Sequence, residues 1–380
     1  MHIVPIASGK GGVGKSLVAA NLSIALAEAG RRVILADLDL GASNLHVILG
    51  IPSTGRGVGT WLSTSGAEFS DIVLSTDYPN LRFIPGDAEI PGLANITAPQ
   101  KHRLIRKLLA LDADYLVLDL GAGTGANILD FFLTATQGIV VTAPALTATL
   151  NAYLFLKNAI FRLMWTTFKK GSAAYAVLEG LRKDGSSLQK AYVPAILDQV
   201  GRADPESRAA FEAKAAHFRP RLVMNMLEDP KDAEKAQKIR KSSLQYLNLD
   251  VEHLGILYRD DLQDIALGSR IPILRYKPQA VLSQAIYRMA DKLLSCEDAA
   301  EEPLSDAYLD ETYQTAEMEA EIDYSAKVEY IEDLLHSGSL TPGDLVETVK
   351  SQQFEIGQLR KENQFLKSKL VKAFSQGFKG

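Results

Sequence analysis

A glycine-rich loop between a strand-like and a helix-like run constrains this fold more than any other feature of the sequence. An apolar run over residues 3–7 leads into Ser-Gly-Lys-Gly-Gly-Val-Gly-Lys-Ser at 8–16, and a helix-like run over 17–29 follows. Glycines let backbone N–H groups approach phosphate oxygens, and the following helix directs its positive end at the same anion. We therefore predict a phosphate-binding loop formed by Gly9, Lys10, Gly11, Gly12, Val13, Gly14, Lys15 and Ser16.

The spacing within the loop separates this prediction from an ordinary turn. Gly9, Gly14, Lys15 and Ser16 stand at the positions of a P-loop, in the required strand–loop–helix context. Lys15 is then expected to reach the β- and γ-phosphates of a nucleotide, and the Ser16 hydroxyl to ligate Mg²⁺. Lys10 is a second lysine inside the loop and needs an explanation of its own.

Acidic residues follow two further strand-like runs. Asp37 and Asp39 come directly after the run over 32–36, and Asp119 ends the run over 115–118. Because open α/β sheets bind ligands at the carboxyl ends of their strands, these carboxylates are expected beside the loop. An acid at the position of Asp119 is where P-loop NTPases hold Mg²⁺ or its waters. For Asp37, a helix cap or an ion pair is the alternative.

Strand-like and helix-like runs alternate over residues 1–295. This alternation predicts an α/β fold with a doubly wound, mostly parallel sheet, of the P-loop NTPase kind. A polar, helix-prone stretch at 170–218 is expected to be a helical insertion, to which no chemistry is assigned.

The loop form Lys-Gly-Gly-x-Gly-Lys-Ser resembles the deviant Walker A loop of the MinD/ParA family of ATPases. The resemblance covers about 295 residues and implies ATP and Mg²⁺ as cofactors. It also implies that Lys10 crosses a homodimer interface to the partner's nucleotide, whereas a solvated surface lysine is the alternative. The Asp37-Leu38-Asp39-Leu40-Gly41 run resembles the family's second motif. By that resemblance Asp39 orients the attacking water and Asp37 contacts the Mg²⁺ shell.

Two asparagines take their expected roles from the same resemblance. Asn44 is expected to face the dimer partner and nucleotide. Asn225 ends a strand-like run over 220–225 and resembles the family's adenine-contacting asparagine. A helix N-cap for the next segment is the alternative for Asn225.

The Asp-Leu-Gly-Ala-Gly run at 119–123 is more similar to the flagellar-number regulators FlhG and FleN than to division-site MinD proteins. The resemblance implies an ATP-dependent dimer switch that positions a division site, flagella or another polar structure, with an activating protein partner. A DNA-partition ATPase is the alternative, but no dense cluster of lysine and arginine is found in 1–295.

Composition excludes other classes of function. The one cysteine, Cys296, leaves neither a disulfide framework nor a thiolate cluster, which argues against an iron–sulfur carrier. Neither a signal peptide nor an apolar run of membrane-spanning length is present, so a cytoplasmic location is expected.

The last part of the chain divides by charge. Fourteen acidic residues and one lysine lie within 297–333, and a solvated acidic linker is expected over 296–327. A helical tail is expected over 328–380. Its heptads place Val349, Ile356, Asn363 and Leu370 at position a, and Gln352, Leu359, Leu366 and Ala373 at position d. The basic, amphipathic end at 363–380 resembles a MinD membrane-targeting helix and suggests peripheral binding to the cell membrane. An amphipathic helix folded onto its own domain is the alternative to the coiled coil.

Overall fold

The computed structural model describes residues 1–41, 43–52, 55–86, 96–183, 192–295, 305–338 and 341–375. It divides into two compact units, Met1–Tyr324 and Ser325–Gly380. Cys296 lies outside the described residues.

An eight-stranded sheet forms the centre of the first unit. Its parallel strands are largely apolar segments that are buried on both faces, as expected for a parallel sheet. Their order across the sheet is β3-β4-β2-β5-β1-β6-β7-β8, and every pair is parallel except β3 with β4. The strands are β1 (His2–Ser8), β2 (Val33–Leu38), β3 (Leu74–Ser75), β4 (Leu81–Ile84), β5 (Tyr115–Ala122), β6 (Ile139–Thr142), β7 (Arg221–Leu227) and β8 (Glu252–Tyr258).

Helices connect the strands and cover both faces of the sheet. The described α-helices are α1 (Lys15–Glu28), α2 (Leu45–Ile48), α3 (Val58–Ser63), α4 (Ala98–Leu109), α5 (Ala126–Phe132), α6 (Leu146–Thr167), α7 (Ala173–Lys183), α8 (Val193–Ala203), α9 (Pro205–His217), α10 (Glu234–Leu247), α11 (Asp261–Gly268), α12 (Ile273–Tyr276), α13 (Val281–Ser295), α14 (Asp306–His336) and α15 (Pro342–Ser375). Short 3₁₀ helices lie at Phe69–Ile72 and Pro230–Ala233.

Two hydrophobic clusters lie on the two faces of the sheet, one on each face. One contains apolar side chains of α4, α5, α6 and α10, and the other contains those of α1, α12 and α13. Helix α1 is buried at most of its positions because it lies between the sheet and α13. The doubly wound, mostly parallel α/β fold predicted from the alternation is confirmed.

The sheet register brings the predicted acids together. Asp37 on β2 is the direct partner of Asp119 on β5, and Asp119 is also the partner of Ile6 on β1. Strand β1 lies between β5 and β6, where the connections depart to opposite sides of the sheet. The glycine-rich loop therefore leaves β1 at the point where such sheets bind ligands.

The insertion predicted at 170–218 contains helices α7, α8 and α9. Residues 184–191 of that stretch lie outside the described part. Phe211 of α9 and Leu178 of α7 are buried against the cluster that also holds α6.

The acidic segment differs from the linker expected over 296–327. From Asp306 onward it is helix α14, and Tyr313, Ala316 and Ala320 are buried in the core of the first unit. Two of its carboxylates pair with basic side chains of the first unit: Asp310 contacts Arg240 at 2.6 Å, and Glu319 contacts Lys292 at 2.8 Å. The expected linker is therefore wrong from residue 306, whereas residues 296–304 are not described.

Hydrogen bonds fasten α14 to strand β8. The Thr312 hydroxyl accepts the backbone N–H of His253 at 3.3 Å, and the Tyr313 hydroxyl donates to the Val251 carbonyl at 2.9 Å. The Tyr258 hydroxyl donates to the Ala320 carbonyl at 2.8 Å.

The second unit contains the end of α14 and the long helix α15. Apolar side chains at predicted heptad positions are exposed along α15, namely Val349, Ile356, Leu359 and Leu366. No helix in the described part of the chain has the length and apolarity needed to cross a bilayer.

The buried imidazole of His253 predicts a pH-dependent stability. Burial, aided by the nearby Lys292 ammonium, lowers the pKa of His253 to about 3. Neither ring nitrogen has a hydrogen-bond partner among the described residues, and the ring packs edge-on against Tyr313. An unfolded histidine titrates near 6.5, so the neutral folded form contributes stability above that pH, and this contribution is lost as the pH falls from about 6.5 to 3.

The free energy of unfolding should fall between pH 7.5 and 5.5 in the unmodified chain. We expect this fall to be smaller by about 1.4 kcal/mol in His253→Phe. Urea unfolding at the two pH values measures the difference. His102, which is exposed on α4, provides the matched control: His102→Phe should show the same pH difference as the unmodified chain. An unchanged pH difference in His253→Phe would contradict the assignment.

Candidate nucleotide-binding site

The loop between β1 and α1 has the backbone of an anion-binding site. Gly12 and Gly14 adopt the left-handed region, with φ of 79° and 82°, which an L side chain rarely adopts. Gly14 is also the N-cap residue of α1 and brings no capping side chain. The N–H groups in the first turn of α1 therefore point towards the loop interior. The cap residue has no side chain that could accept hydrogen bonds from them.

The loop is held between the backbone of α6 and a side chain of β7. A Cβ at Gly9 would lie 2.0 Å from the carbonyl oxygen of Asn151 on α6, so only glycine fits there. A Cβ at Gly14 would lie 2.1 Å from Nδ2 of Asn225, which donates to the Val13 carbonyl at 2.8 Å. The loop conformation is therefore fixed by α6 on one side and by β7 on the other.

Lys15, Ser16 and Asp119 meet beneath the loop. The Lys15 ammonium pairs with the Asp119 carboxylate and lies 3.5 Å from the Ser16 hydroxyl oxygen. Lys15 and Asp119 are both buried, at 7 % and 1 % exposure. Burial raises the pKa of Asp119, while Lys15 and Ser16 oppose the rise. One ammonium thus partly compensates one carboxylate in a site closed to solvent.

Asp37 adds a second buried carboxylate beside the first. Burial, and next the Asp119 charge, raise the pKa of Asp37 above its ordinary value. Its oxygens accept the Ser43 hydroxyl at 2.7 Å and the backbone N–H groups of Asp39 and Leu45 at 3.1 and 3.3 Å. Since Leu45 begins α2, Asp37 caps that helix from the neighbouring strand. The helix cap, which was the alternative role for Asp37 in the sequence analysis, is therefore present.

Asp39 and Gly121 lie at the same edge of the sheet. A Cβ at Gly121 would be 3.4 Å from Oδ1 of Asp39, so the turn after β5 passes close to this carboxylate. Asp39 is partly exposed and lines a cavity of about 210 Å³ together with Asn127 and Phe131. The cavity is large enough for several waters beside a carboxylate.

Lys10 and Asn44 face outward from the site. Lys10 is exposed and its ammonium donates to the Thr147 hydroxyl on α6 at 3.0 Å. Asn44 is exposed at the N-cap position of α2 and makes no capping hydrogen bond with its side chain. Neither belongs to the buried group of Lys15, Asp37 and Asp119.

Asn225 is not the N-cap of the next helix, because it lies within β7 and Asp229 caps the 3₁₀ helix that follows. Asn151 and Thr147 of α6 are the contacts that the sequence analysis missed. Both follow β6, the neighbour of β1, so the strand order is the only signal that would have placed α6 beside the loop.

The donor set suits Mg²⁺ bound together with phosphates. The Ser16 hydroxyl and the Asp37 and Asp119 carboxylates are hard oxygen ligands of the kind that Mg²⁺ prefers. No group of three or more histidine, cysteine, aspartate or glutamate residues that could hold a metal is found among the described residues. A Mg²⁺ ion here would therefore take its remaining ligands from water and from a nucleotide.

Comparison with known proteins identifies relatives of this site. Residues 1–157 match the family model described as ParA, NUBPL iron-transfer P-loop NTPase. The antiactivator FleN of Pseudomonas aeruginosa is 31% identical over 159 residues, 41% of this chain and 56% of FleN, so the chain spans little more than half the length of that relative. The flagellum site-determining protein YlxH of Helicobacter pylori is 33% identical over 204 residues, 51% of this chain and 68% of YlxH.

A solved structure shares the fold. The septum site-determining protein MinD of Pyrococcus horikoshii, complexed with Mg-ADP, aligns with a TM-score of 0.54 and 22% identity over 79% of this chain and 99% of MinD. The match to the family model, over residues 1–157, includes the loop and both acidic strand ends. The chain therefore belongs to the ParA/MinD family of P-loop NTPases.

Proposed function

We propose that this chain is an ATP-hydrolysing switch that dimerises with ATP and Mg²⁺ and dissociates after hydrolysis. The buried group of Lys15, Asp37 and Asp119 at the end of β1 is the observation that supports it, because one lysine and two carboxylates match a bound triphosphate and a divalent cation. The names of FleN, YlxH and MinD support a role in placing flagella or the division site.

The chain's own residues divide the chemistry between them. The loop N–H groups and the N-terminus of α1 bind the phosphates, and Lys15 turns its ammonium from Asp119 towards the β- and γ-oxygens. Ser16 and Asp119 would hold Mg²⁺, and Asp37 would contact the ligands around it. The metal, when bound, neutralises charge that develops on the phosphate oxygens. Asp39 orients water at the cavity beside Gly121, and Asn225 fixes the loop next to the base.

Lys10 and Asn44 are assigned to the dimer interface. Both are exposed in the single chain, on the surface that surrounds the loop. A second chain facing this surface would receive the Lys10 ammonium at its own nucleotide, where it would stabilise charge on the transferring phosphoryl group. The contact of Lys10 with Thr147 would then be exchanged for one with the partner's phosphates.

Lys15→Ala should weaken ATP binding by roughly 10- to 100-fold, since a charge-assisted hydrogen bond contributes about 1.5–3 kcal/mol. Isothermal titration with ATP and Mg²⁺ measures the change. Removing Lys15 also leaves Asp119 buried without its counter-charge, so the double variant with Asp119→Asn separates binding from stability. Tight ATP binding by the folded double variant would contradict the assignment.

Lys10→Ala should leave ATP binding by the monomer within about threefold and lower turnover by at least about 100-fold, the magnitude seen when a transition-state donor is lost. Steady-state phosphate release at saturating ATP provides the measurement. Lys107, exposed on α4, is the matched control, and Lys107→Ala should keep normal turnover.

Sedimentation tests the dimer directly. Asp39→Ala should bind ATP without hydrolysing it and sediment as a dimer with ATP and as a monomer with ADP. Adding Lys10→Ala should return the ATP-bound variant to a monomer. Single subunits in Asp39→Ala at saturating ATP would overturn the proposed switch.

The tail is proposed to use its exposed apolar row for pairing and its basic end for a bilayer. Val349, Ile356, Leu359 and Leu366 form a face that a second α15 would cover as a coiled coil. Lys369 lies over the Phe365 ring at 4.5 Å, so cationic and apolar surface alternate near the start of 363–380. Residues 376–380 lie outside the described part.

Vesicle flotation tests this surface. With ATP, the full chain should float with vesicles rich in phosphatidylserine and stay in solution with neutral vesicles, because two basic helices per dimer act together on an anionic surface. Deletion of 363–380 should abolish flotation. Equal recovery with and without those residues would rule out membrane binding, and retention on DNA that requires ATP would instead favour a partition ATPase.

A further inference from the structure

Among the described residues, two polar side chains line the cavity of about 210 Å³ beside Gly121. One is the Asp39 carboxylate, and the other is the amide of Asn127 on α5. The other side chains of the described lining are apolar. A water bound in a cavity typically makes about three hydrogen bonds to polar groups. Asn127 is therefore the side chain that can hold a water against Asp39.

The amide of Asn127 is held in one orientation by two hydrogen bonds. Its Oδ1 accepts the Lys101 ammonium at 3.1 Å, and its Nδ2 donates to the Ile96 carbonyl at 3.2 Å. A side-chain amide has two acceptor lone pairs and two donor hydrogens. These bonds use one of each, so one lone pair and one hydrogen are left for a water in the cavity.

Lys101 takes its position from a buried ion pair. It lies on α4, is 6 % exposed, and pairs with Asp130, which follows Asn127 by about one turn of α5. Arg162 of α6 contacts the same carboxylate at 2.6 Å. A buried ammonium is stable only where its charge is compensated. The ion pair with Asp130 therefore keeps the Lys101 ammonium beside Oδ1 of Asn127.

We propose that Asn127 is a further catalytic residue of ATP hydrolysis and that Lys101 is its positioning residue. Asn127 and Asp39 hold the attacking water between them, and this role rests on the proposed function. The water oxygen forms a bond to the γ-phosphorus, while the bond to the bridging oxygen breaks and its electron pair leaves with ADP. One proton of the water stays on the phosphate product, and the other passes to solvent.

Kinetics of Asn127→Ala test the catalytic role. The variant should lower kcat by at least about tenfold and leave KM and ATP affinity within about threefold, because a group that acts in the reaction step affects turnover and not binding. Phosphate release and isothermal titration measure the two effects. Asn158 on α6, whose Nδ2 donates to the Leu154 carbonyl at 2.7 Å, is the matched control, and Asn158→Ala should keep normal turnover.

Sedimentation shows at which step Asn127 acts. Since Asn127→Ala should bind ATP and hydrolyse it slowly, it should sediment as a dimer with ATP, as expected for Asp39→Ala. Single subunits of Asn127→Ala, under conditions in which Asp39→Ala is a dimer, would place Asn127 in dimerisation and overturn the proposal.

Two variants of the same ion cluster test the role of Lys101 with Asn127 in place. Lys101→Met and Arg162→Met each remove one cation from Asp130, but of the two only Lys101 has a described hydrogen bond to Asn127. Both variants should unfold at lower urea concentration. Lys101→Met alone should also lower kcat, by at least about fivefold at unchanged KM. Equal kcat values for the two folded variants would contradict the positioning role.

Phosphate release by the unmodified chain and by Asp39→Ala separates this proposal from the switch. Turnover that is lost in Asp39→Ala but stays normal in Asn127→Ala would refute the role of Asn127 and leave the switch supported. A complete absence of turnover in the unmodified chain would refute both.

Discussion

The buried contact between Lys15 and Asp119 is the interaction on which the rest of the site depends. Two carboxylates, Asp37 and Asp119, are direct neighbours in the sheet, and one ammonium faces them. Charges taken out of water are costly unless they are compensated, and a divalent cation would supply positive charge beside the two carboxylates. The burial that makes these charges costly therefore also favours the binding of a metal and a triphosphate.

The sequence predicted this group because each member follows a strand of a parallel sheet. Carboxyl ends of neighbouring strands meet at one edge, so Asp37 and Asp119 had to lie near the loop once the strands were recognised. The contacts of Gly9 with Asn151 and of Asn225 with Val13 could not be predicted in this way. They join residues far apart in the chain, and they depend on which helix the strand order places beside the loop.

The acidic composition of residues 297–333 does not show that these acids have basic partners in the fold. A run of aspartate and glutamate with one lysine is typical of a solvated segment. In the folded chain, Arg240 and Lys292 lie opposite Asp310 and Glu319, and Tyr313 enters the core beneath them. The basic residues come from α10 and α13, so only tertiary structure shows that the acidic helix is part of the domain.

The position of α14 has a consequence for self-association of the sheet. Strand β8 ends the strand order. Thr312 accepts the N–H of His253 in the strand, and Tyr313 donates to the carbonyl of Val251 just before it. Uncovered edge strands recruit other chains through backbone pairing, and native proteins commonly shield them. A chain shortened before residue 306 would present that edge to its neighbours, so the acidic helix protects the domain from aggregation as well as completing its core.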